Sequence, residues 1–518
     1  MSAVNLLLTA LLALPLLGAA AAPLLRTNAA NAHRLPALLG VAVTGALLAG
    51  ALALAAGFDH DDPARMQAET DVSWIPALGV RLHLGVDGIS LPLVVLTALL
   101  AFLCALHTLA RPPEGPRTAP LVSLLLLLEA GTLATFAALD LVLFFLAFEL
   151  VLVPMYFLIA RWGGAGREAA AWRFVLYTVL GSVVMLLGLL LLGGAAGTFD
   201  MVALAEAHGD GIGRGTQILA VLAIALGLAV KTPMWPLHSW LPDAHTAAPT
   251  TGSVLLAGVL LKMGTYGLVR IAVPAAPEGM EVFAPYLGAF AVAGIVYGSL
   301  ACLSLSRQGA GGDLKRLIAY SSVGHMGFVL LGIATLTRTG LNGALFANVA
   351  HGLITGLLFF LAGSLKERAG TLDLDRLAGS GGAALYARVP RLGALLAFAA
   401  VASLGLPGLA GFWGELLALL GAFDPDNALS RPAFLTYLAV AAFGTLLTAA
   451  YLLIVVRRVC TGSPAEAPGE PAPPGLRAHE YAAAVPLVAL ILLAGLWPAV
   501  LLDLTGPAVR DLLPGALR

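Results

Sequence analysis

Charge is what this sequence has least of. Of its 518 residues, 11% are Asp, Glu, Lys or Arg and 59% are hydrophobic, where a soluble protein carries roughly a quarter charged residues. So little charge cannot dress a surface that faces water. The mean hydropathy of +0.93 agrees, and the expected solvent is a lipid bilayer. Cysteine is scarce as well. Cys104, Cys302 and Cys460 lie far apart with no CxxC pair, which excludes a thiolate metal site or an iron–sulfur cluster held by this chain. The net charge of −1 supplies no field to draw in nucleic acid. The glycine run from Gly209 to Gly215 sits in a polar loop without a strand–helix–strand context, so no dinucleotide fingerprint is met. No cofactor is expected in this chain.

Long apolar runs are what the sequence has in abundance. About 20 residues cross ~30 Å of hydrocarbon, and runs of that size recur at 4–24, 36–57, 89–110, 119–138, 141–160, 171–194, 217–241, 250–273, 283–306, 315–336, 341–365, 391–421, 434–457 and 483–503. The reading is an all-α polytopic membrane protein of fourteen spans, with both termini on one side. The first run lacks a preceding basic residue and is long enough to span, so it is read as a retained helix rather than a signal peptide. Eighteen basic residues, Lys315 among them, fall on one set of connecting segments. Eight, Arg270 among them, fall on the other. The positive-inside bias therefore places both termini outside, on the periplasmic side of a bacterial plasma membrane. Only Lys231 and Lys262 then remain inside helices, with no arginine beside them.

Ionisable groups at membrane depth are costly and mark function by default. Six stand out on six spans: Glu149, Lys231, Lys262, His325, His351 and Glu415. Glu129 and Asp140 lie in or beside the fourth span. Lys231 opens Lys231-Thr232-Pro233-Met234-Trp235-Pro236, where two prolines remove backbone donors and must break the helix. Such a break is tolerated at membrane depth only inside protein or beside water. Glu415 follows Gly405, Pro407, Gly408, Gly411 and Gly414 in a 391–421 run too long for a straight span. The two breaks are each fourth in a set of five helices, 4–8 and 9–13. Five is odd, so the second set would run inverted, as in inverted-repeat transporters. The domains expected are 1–118 (helices 1–3), 119–273 (first repeat), 283–457 (second repeat) and 458–518 (a loop and helix 14). Each residue also has a plainer role open to it: a packing ion pair for Glu149, snorkelling for Lys231, packing for the histidines. His238 and His245 lack the further ligands a metal would need.

The run from Lys231 to Thr246, continuing through Ala248-Pro249-Thr250-Thr251-Gly252-Ser253 to Leu260-Leu261-Lys262-Met263-Gly264-Thr265-Tyr266-Gly267, closely resembles the M subunit family of bacterial NADH–quinone oxidoreductase, subunit 4 in mitochondria. Asp313 to Ser322 and Val153 to Ile159 are similar to the same family, and the likeness covers about residues 85–460. Ala247 departs from the family, which often has glutamate there, outside the proposed channel. The N-terminal 80 residues and the Pro-rich loop 463–475 match only in topology.

The resemblance implies a proton-translocating membrane-arm subunit of respiratory complex I. It also implies that Glu149 and Lys231 are a coupled pair, Lys262 the central relay, His325 and His351 its continuation, and Glu415 the terminal site toward an outer half-channel. Moving Glu149 relative to Lys231 would switch the lysine between holding and releasing a proton. The implied partners are other membrane-arm subunits, especially those of the L and N types. Quinone reduction elsewhere in the complex would drive the relay. Rival readings are a subunit of a multisubunit cation/proton antiporter or membrane-bound hydrogenase, a non-conducting structural spacer, and a solute transporter. The chain-like spread of the ionisable residues argues against the last.

Overall fold

Apolar residues on every face make a helix that is buried in protein or lipid, and this chain builds almost entirely from such helices. The structure is a computed structural model and describes residues 3–25, 33–112, 117–378, 383–462 and 474–513. Arg26, Arg518 and most of the loop 463–475 lie outside the described residues. Helices α1 (Ala3–Ala21) and α2 (Arg34–Ala56) precede an antiparallel hairpin of β1 (Gln67–Ile75) and β2 (Val80–Val86). Next come α3 (Ser90–Ala110), α4 (Thr118–Ala137), α5 (Leu141–Trp162) and α6 (Arg167–Ala196). The seventh passage is split into α7a (Arg214–Lys231) and α7b (Trp240–Ala247). After α8 (Thr250–Ala275), α9 (Pro277–Leu305), α10 (Leu314–Ala334) and α11 (Arg338–Ala369) comes a second split helix. Its halves are α12a (Pro390–Ser403) and α12b (Ala410–Phe423), followed by α13 (Arg431–Cys460), α14 (Ala478–Leu496) and α15 (Ala499–Leu512).

Thirteen helices among the described residues are long and apolar enough to cross a membrane, and α12a with α12b makes one further passage. The count expected from the apolar runs is met. Two elements were not foreseen. The hairpin lies between the second and third apolar runs, where no element is expected, and α15 follows a stop at Trp497-Pro498, inside the last apolar run of 483–503. Proline explains that stop, since it has no amide hydrogen to donate to the preceding turn.

The interior belongs to α8, α10 and α11. Every residue of α8 after Thr250 is buried, as are most residues of α10 and α11. Lipid-facing leucines instead line the outer helices, such as Leu176, Leu180 and Leu187 on α6. Without a water-driven hydrophobic effect between them, membrane helices associate through close packing at small residues. Gly352 of α11 lies so close to α8 that an added Cβ would stand 2.6 Å from the Gly258 carbonyl oxygen.

A local motif recurs at constant spacing. Asp140 caps α5 by accepting from the amides of Val142 and Leu143. There, Leu141 donates to the Phe199 carbonyl and Met201 to that of Leu139. Asp313 caps α10, and Leu314 donates to Leu372 while Leu374 donates to Gly312. The second set lies five passages later, at the opposite end of the bundle.

Candidate proton-transfer site

The breaks come where the missing amide hydrogens leave carbonyls free. α7a ends at Lys231, and Pro233 and Pro236 cannot continue its ladder. The Val230 carbonyl is taken instead by the Trp240 indole N–H at 3.0 Å, which ties the start of α7b to the end of α7a. The second break needs glycine. Gly405 has φ +72°, and a Cβ there would meet Glu415 Oε2 at 2.8 Å. A larger residue would be strained in its backbone and would push the carboxylate away.

Lys262 is fully buried on α8, just after a π-helical turn at Leu256–Leu260. Such turns leave carbonyls unshared and cluster at functional positions. Here the Ala257 carbonyl accepts from the Lys262 ammonium. The same Nζ lies 2.6 Å from His351 Nδ1, and the Gly258–Gly352 contact is what lets α11 bring that ring so near. The His351 and His325 ring centroids are 5.7 Å apart. His325 Nδ1 stands 3.2 Å from Glu415 Oε1, and its Nε2 2.9 Å from Ser403 Oγ. A cavity of about 20 Å³ opens between His325, His351, Ser403 and Glu415, enough for one water molecule. Four of the six expected residues thus form one continuous line.

The other two are less tightly joined. Lys231 is 2% exposed, and its ammonium faces the Phe148 ring at 4.9 Å and that of Phe174 at 5.9 Å. Among the described residues no ion pair within 4.0 Å connects it to Glu149, which is half-buried one residue beyond Phe148. Aromatic faces hold an ammonium by their quadrupole without fixing its proton.

Three groups escaped the sequence reading or were misplaced by it. Arg270, assigned to an outer connecting segment, is buried within α8 and paired with Asp87. The expectation that no arginine joins the two lysines inside helices is therefore corrected. It had one available signal, since 270 lies within the apolar run 250–273. Lys315, assigned to an inner loop, is 5% exposed and donates to the Ala248 carbonyl at 2.7 Å. His245 is fully buried and stacked on Phe359, with centroids 4.8 Å apart. Neither of its ring nitrogens has a partner among the described residues, and it lies within electrostatic reach of both Lys262 and Lys315. No cluster of potential metal ligands occurs among the described residues.

A helical membrane protein with two broken helices and a buried line of lysine, imidazole and carboxylate has the build of an antiporter-like membrane subunit. The family described as "NADH:quinone oxidoreductase/Mrp antiporter, TM" matches residues 138–448. NADH-quinone oxidoreductase subunit M of Rhodobacter capsulatus is 41% identical over 472 residues, covering 89% of this chain and 87% of that one. NAD(P)H-quinone oxidoreductase chain 4 1 of Synechococcus sp. (strain JA-3-3Ab) is 42% identical over 98% of this chain and 94% of its own length. A chain of the respiratory complex I from Thermus thermophilus with bound NADH superposes with a TM-score of 0.82 at 30% identity, covering 99% of this chain and 100% of that one. This chain belongs to the subunit M (chain 4) family of antiporter-like membrane subunits.

Proposed function

We propose that this chain moves protons across the membrane as a membrane-arm subunit of a bacterial NADH:quinone oxidoreductase. Protons pass along Glu149, Lys231, Lys262, His351, His325 and Glu415. The observation that carries the reading is the line from the Lys262 ammonium to His351 and from His325 to the Glu415 carboxylate, with space for one water between the two imidazoles. A neutral imidazole accepts a proton on one nitrogen and releases one from the other. His351 therefore takes a proton from Lys262, and His325 delivers one to Glu415. His245, between Lys315 and Lys262, extends the line toward the end of the bundle that carries the inner loops.

Glu149 is not locked to Lys231 by an ion pair, so a displacement that brings the carboxylate closer strengthens the field the ammonium feels, since charge–charge energies in a low-dielectric interior rise as distance falls. That is the switch, driven by a conformational or electrostatic signal from neighbouring subunits. The partners are other antiporter-like subunits of the L and N types. The recurrent Asp140 and Asp313 motifs support two inverted five-helix repeats, helices 4–8 and 9–13, and the positive-inside bias supports both termini outside.

The experiment is redox-driven acidification in sealed membrane vesicles containing the assembled complex with Lys262→Ala. NADH oxidation is expected to continue while proton uptake falls sharply. Glu149→Ala and Lys231→Ala are expected to behave alike. Pumping at the wild-type ratio by the assembled variants would leave the chain a spacer. Co-purification with flavin and iron–sulfur subunits separates this reading from a multisubunit cation/proton antiporter, which the family description also covers.

A further inference from the structure

The relay reading leaves one buried charged cluster unused. Arg270 and Asp87 pair at side-chain exposures of 4% and 2% near the hairpin end of α8. Asp87 is itself fixed, accepting from the amides of Ile89 and Ser90 at the start of α3. On one side of the pair a cavity of about 640 Å³ opens, with Asp62, Glu69, Glu206 and Asp511 in its wall together with Arg270 and Asp87. On the other side the guanidinium lies over the Tyr266 ring, 5.7 Å from its centroid. Tyr266 is fully buried, donates to the Phe136 carbonyl at 3.1 Å, and sits one helical turn from Lys262. Arg270 Nε is a buried donor without a protein partner among the described residues, so the guanidinium is not satisfied by Asp87 alone.

The order along α8 is therefore Lys262, an aromatic ring, a guanidinium, and a polar cavity. Arginine stays charged at any working pH. A fixed positive charge at a constriction repels protons and other cations, as it does in pores that must pass no protons. A pump needs such a barrier, because a central lysine open to both sides at once would short-circuit the gradient. We propose that the Arg270–Asp87 pair, seated on Tyr266, is an electrostatic gate that closes the hairpin-side cavity against Lys262. Asp87 is the positioning residue that holds the guanidinium across the gap. The proposal rests on Lys262 being part of the proton line.

The test measures passive proton leak, with no electron donor present. Sealed vesicles holding the assembled complex receive an imposed pH gradient, and its decay is followed with a fluorescent dye. Arg270→Gln is expected to speed the decay by about tenfold, the change that follows from lowering a barrier by ~1.4 kcal/mol. Arg270→Lys, which keeps the charge, should decay like wild type. Adding Lys262→Ala to Arg270→Gln should restore the slow decay. An assembled Arg270→Gln complex no leakier than wild type overturns the gate, and so does a double variant that still leaks.

Should Arg270→Gln fail to assemble, thiol labelling in the otherwise native complex decides the matter, because the three native cysteines are buried. Ala508→Cys, in the cavity wall, should react with a membrane-impermeant reagent applied from the hairpin side, and Thr265→Cys, beside Lys262, should not. Reaction at Thr265→Cys, or none at Ala508→Cys, overturns the proposal. Failure of the relay reading shows separately, as Lys262→Ala vesicles that still pump when NADH is supplied.

Discussion

Lys262 and its neighbours are a matter of single atoms. The Lys262 Nζ lies 2.6 Å from His351 Nδ1, within hydrogen-bond reach, and for a proton to pass between them the group that holds it must be able to let it go. Arginine cannot. Lys262→Arg should therefore pump as poorly as Lys262→Ala, although it keeps the charge. The ratio of protons moved to NADH oxidised reads this out, and a near-normal ratio for Lys262→Arg would show that charge, not proton release, is what matters there. Glu415→Gln makes the matching test at the far end. The amide can still hydrogen-bond His325 but cannot take up and release a proton, so pumping should fall while assembly is kept. Glu129 is a residue with no assigned part. It is 1% exposed and both its carboxylate oxygens lack partners among the described residues; the structure shows nothing that explains it.

At the scale of elements, the two broken helices decide where the line runs. Trp240→Phe removes the indole donor to the Val230 carbonyl; an unsatisfied buried carbonyl costs about 1–3 kcal/mol, and the assembled subunit should melt at lower temperature. Gly405→Ala puts a side chain at φ +72° and 2.8 Å from Glu415 Oε2. Strain of that kind is on the order of 1–3 kcal/mol. The variant should lose both stability and pumping, whereas Gly475→Ala, which meets nothing within 4 Å, should lose neither. Equal melting curves for Gly405→Ala and wild type would show that the second break tolerates any small residue.

At the scale of the molecule, the hairpin meets α1 through β1 and is tied by His83 of β2 to Asp200, in the segment after α6. The His83 Nδ1 lies 2.8 Å from Asp200 Oδ2 and its Nε2 2.8 Å from Glu69 Oε1. Burial disfavours the imidazolium, but the two carboxylates outweigh it and hold the pKa above the usual histidine value. For Asp200, burial acts against the carboxylate, yet the hydrogen bonds from His83 and from the Val202 and Ala203 amides hold its pKa below the usual aspartate value. The signs are opposite. A raised histidine contributes stability that is complete below its unfolded pKa and fades as pH rises through the folded one. A lowered aspartate contributes stability that is complete above its unfolded pKa and fades as pH falls through the folded one. Hairpin stability should therefore peak between the two. Amide exchange across 67–86, corrected for intrinsic rates, should loosen above the folded His83 pKa. His83→Ala should remove that dependence, and an unchanged profile would show the cluster to be inert.

Burial against lipid imposes a plain rule, that charge is removed unless it has work to do, and so composition was enough to read the solvent, and the apolar runs to read the fourteen passages and the six ionisable residues inside them. The proline and glycine clusters likewise mark both breaks, because missing amide hydrogens and positive φ are local properties of the chain. Contacts between distant residues are not local. Nothing in the sequence says that Gly258 meets Gly352 and so brings His351 to Lys262, or that Lys231 faces aromatic rings instead of touching Glu149. Nor does it place Arg270 against Asp87, since an arginine near the end of an apolar run reads the same whether it turns outward to water or inward to a carboxylate on another helix. Periodicity tells how each helix divides its faces, and only packing decides which face meets which.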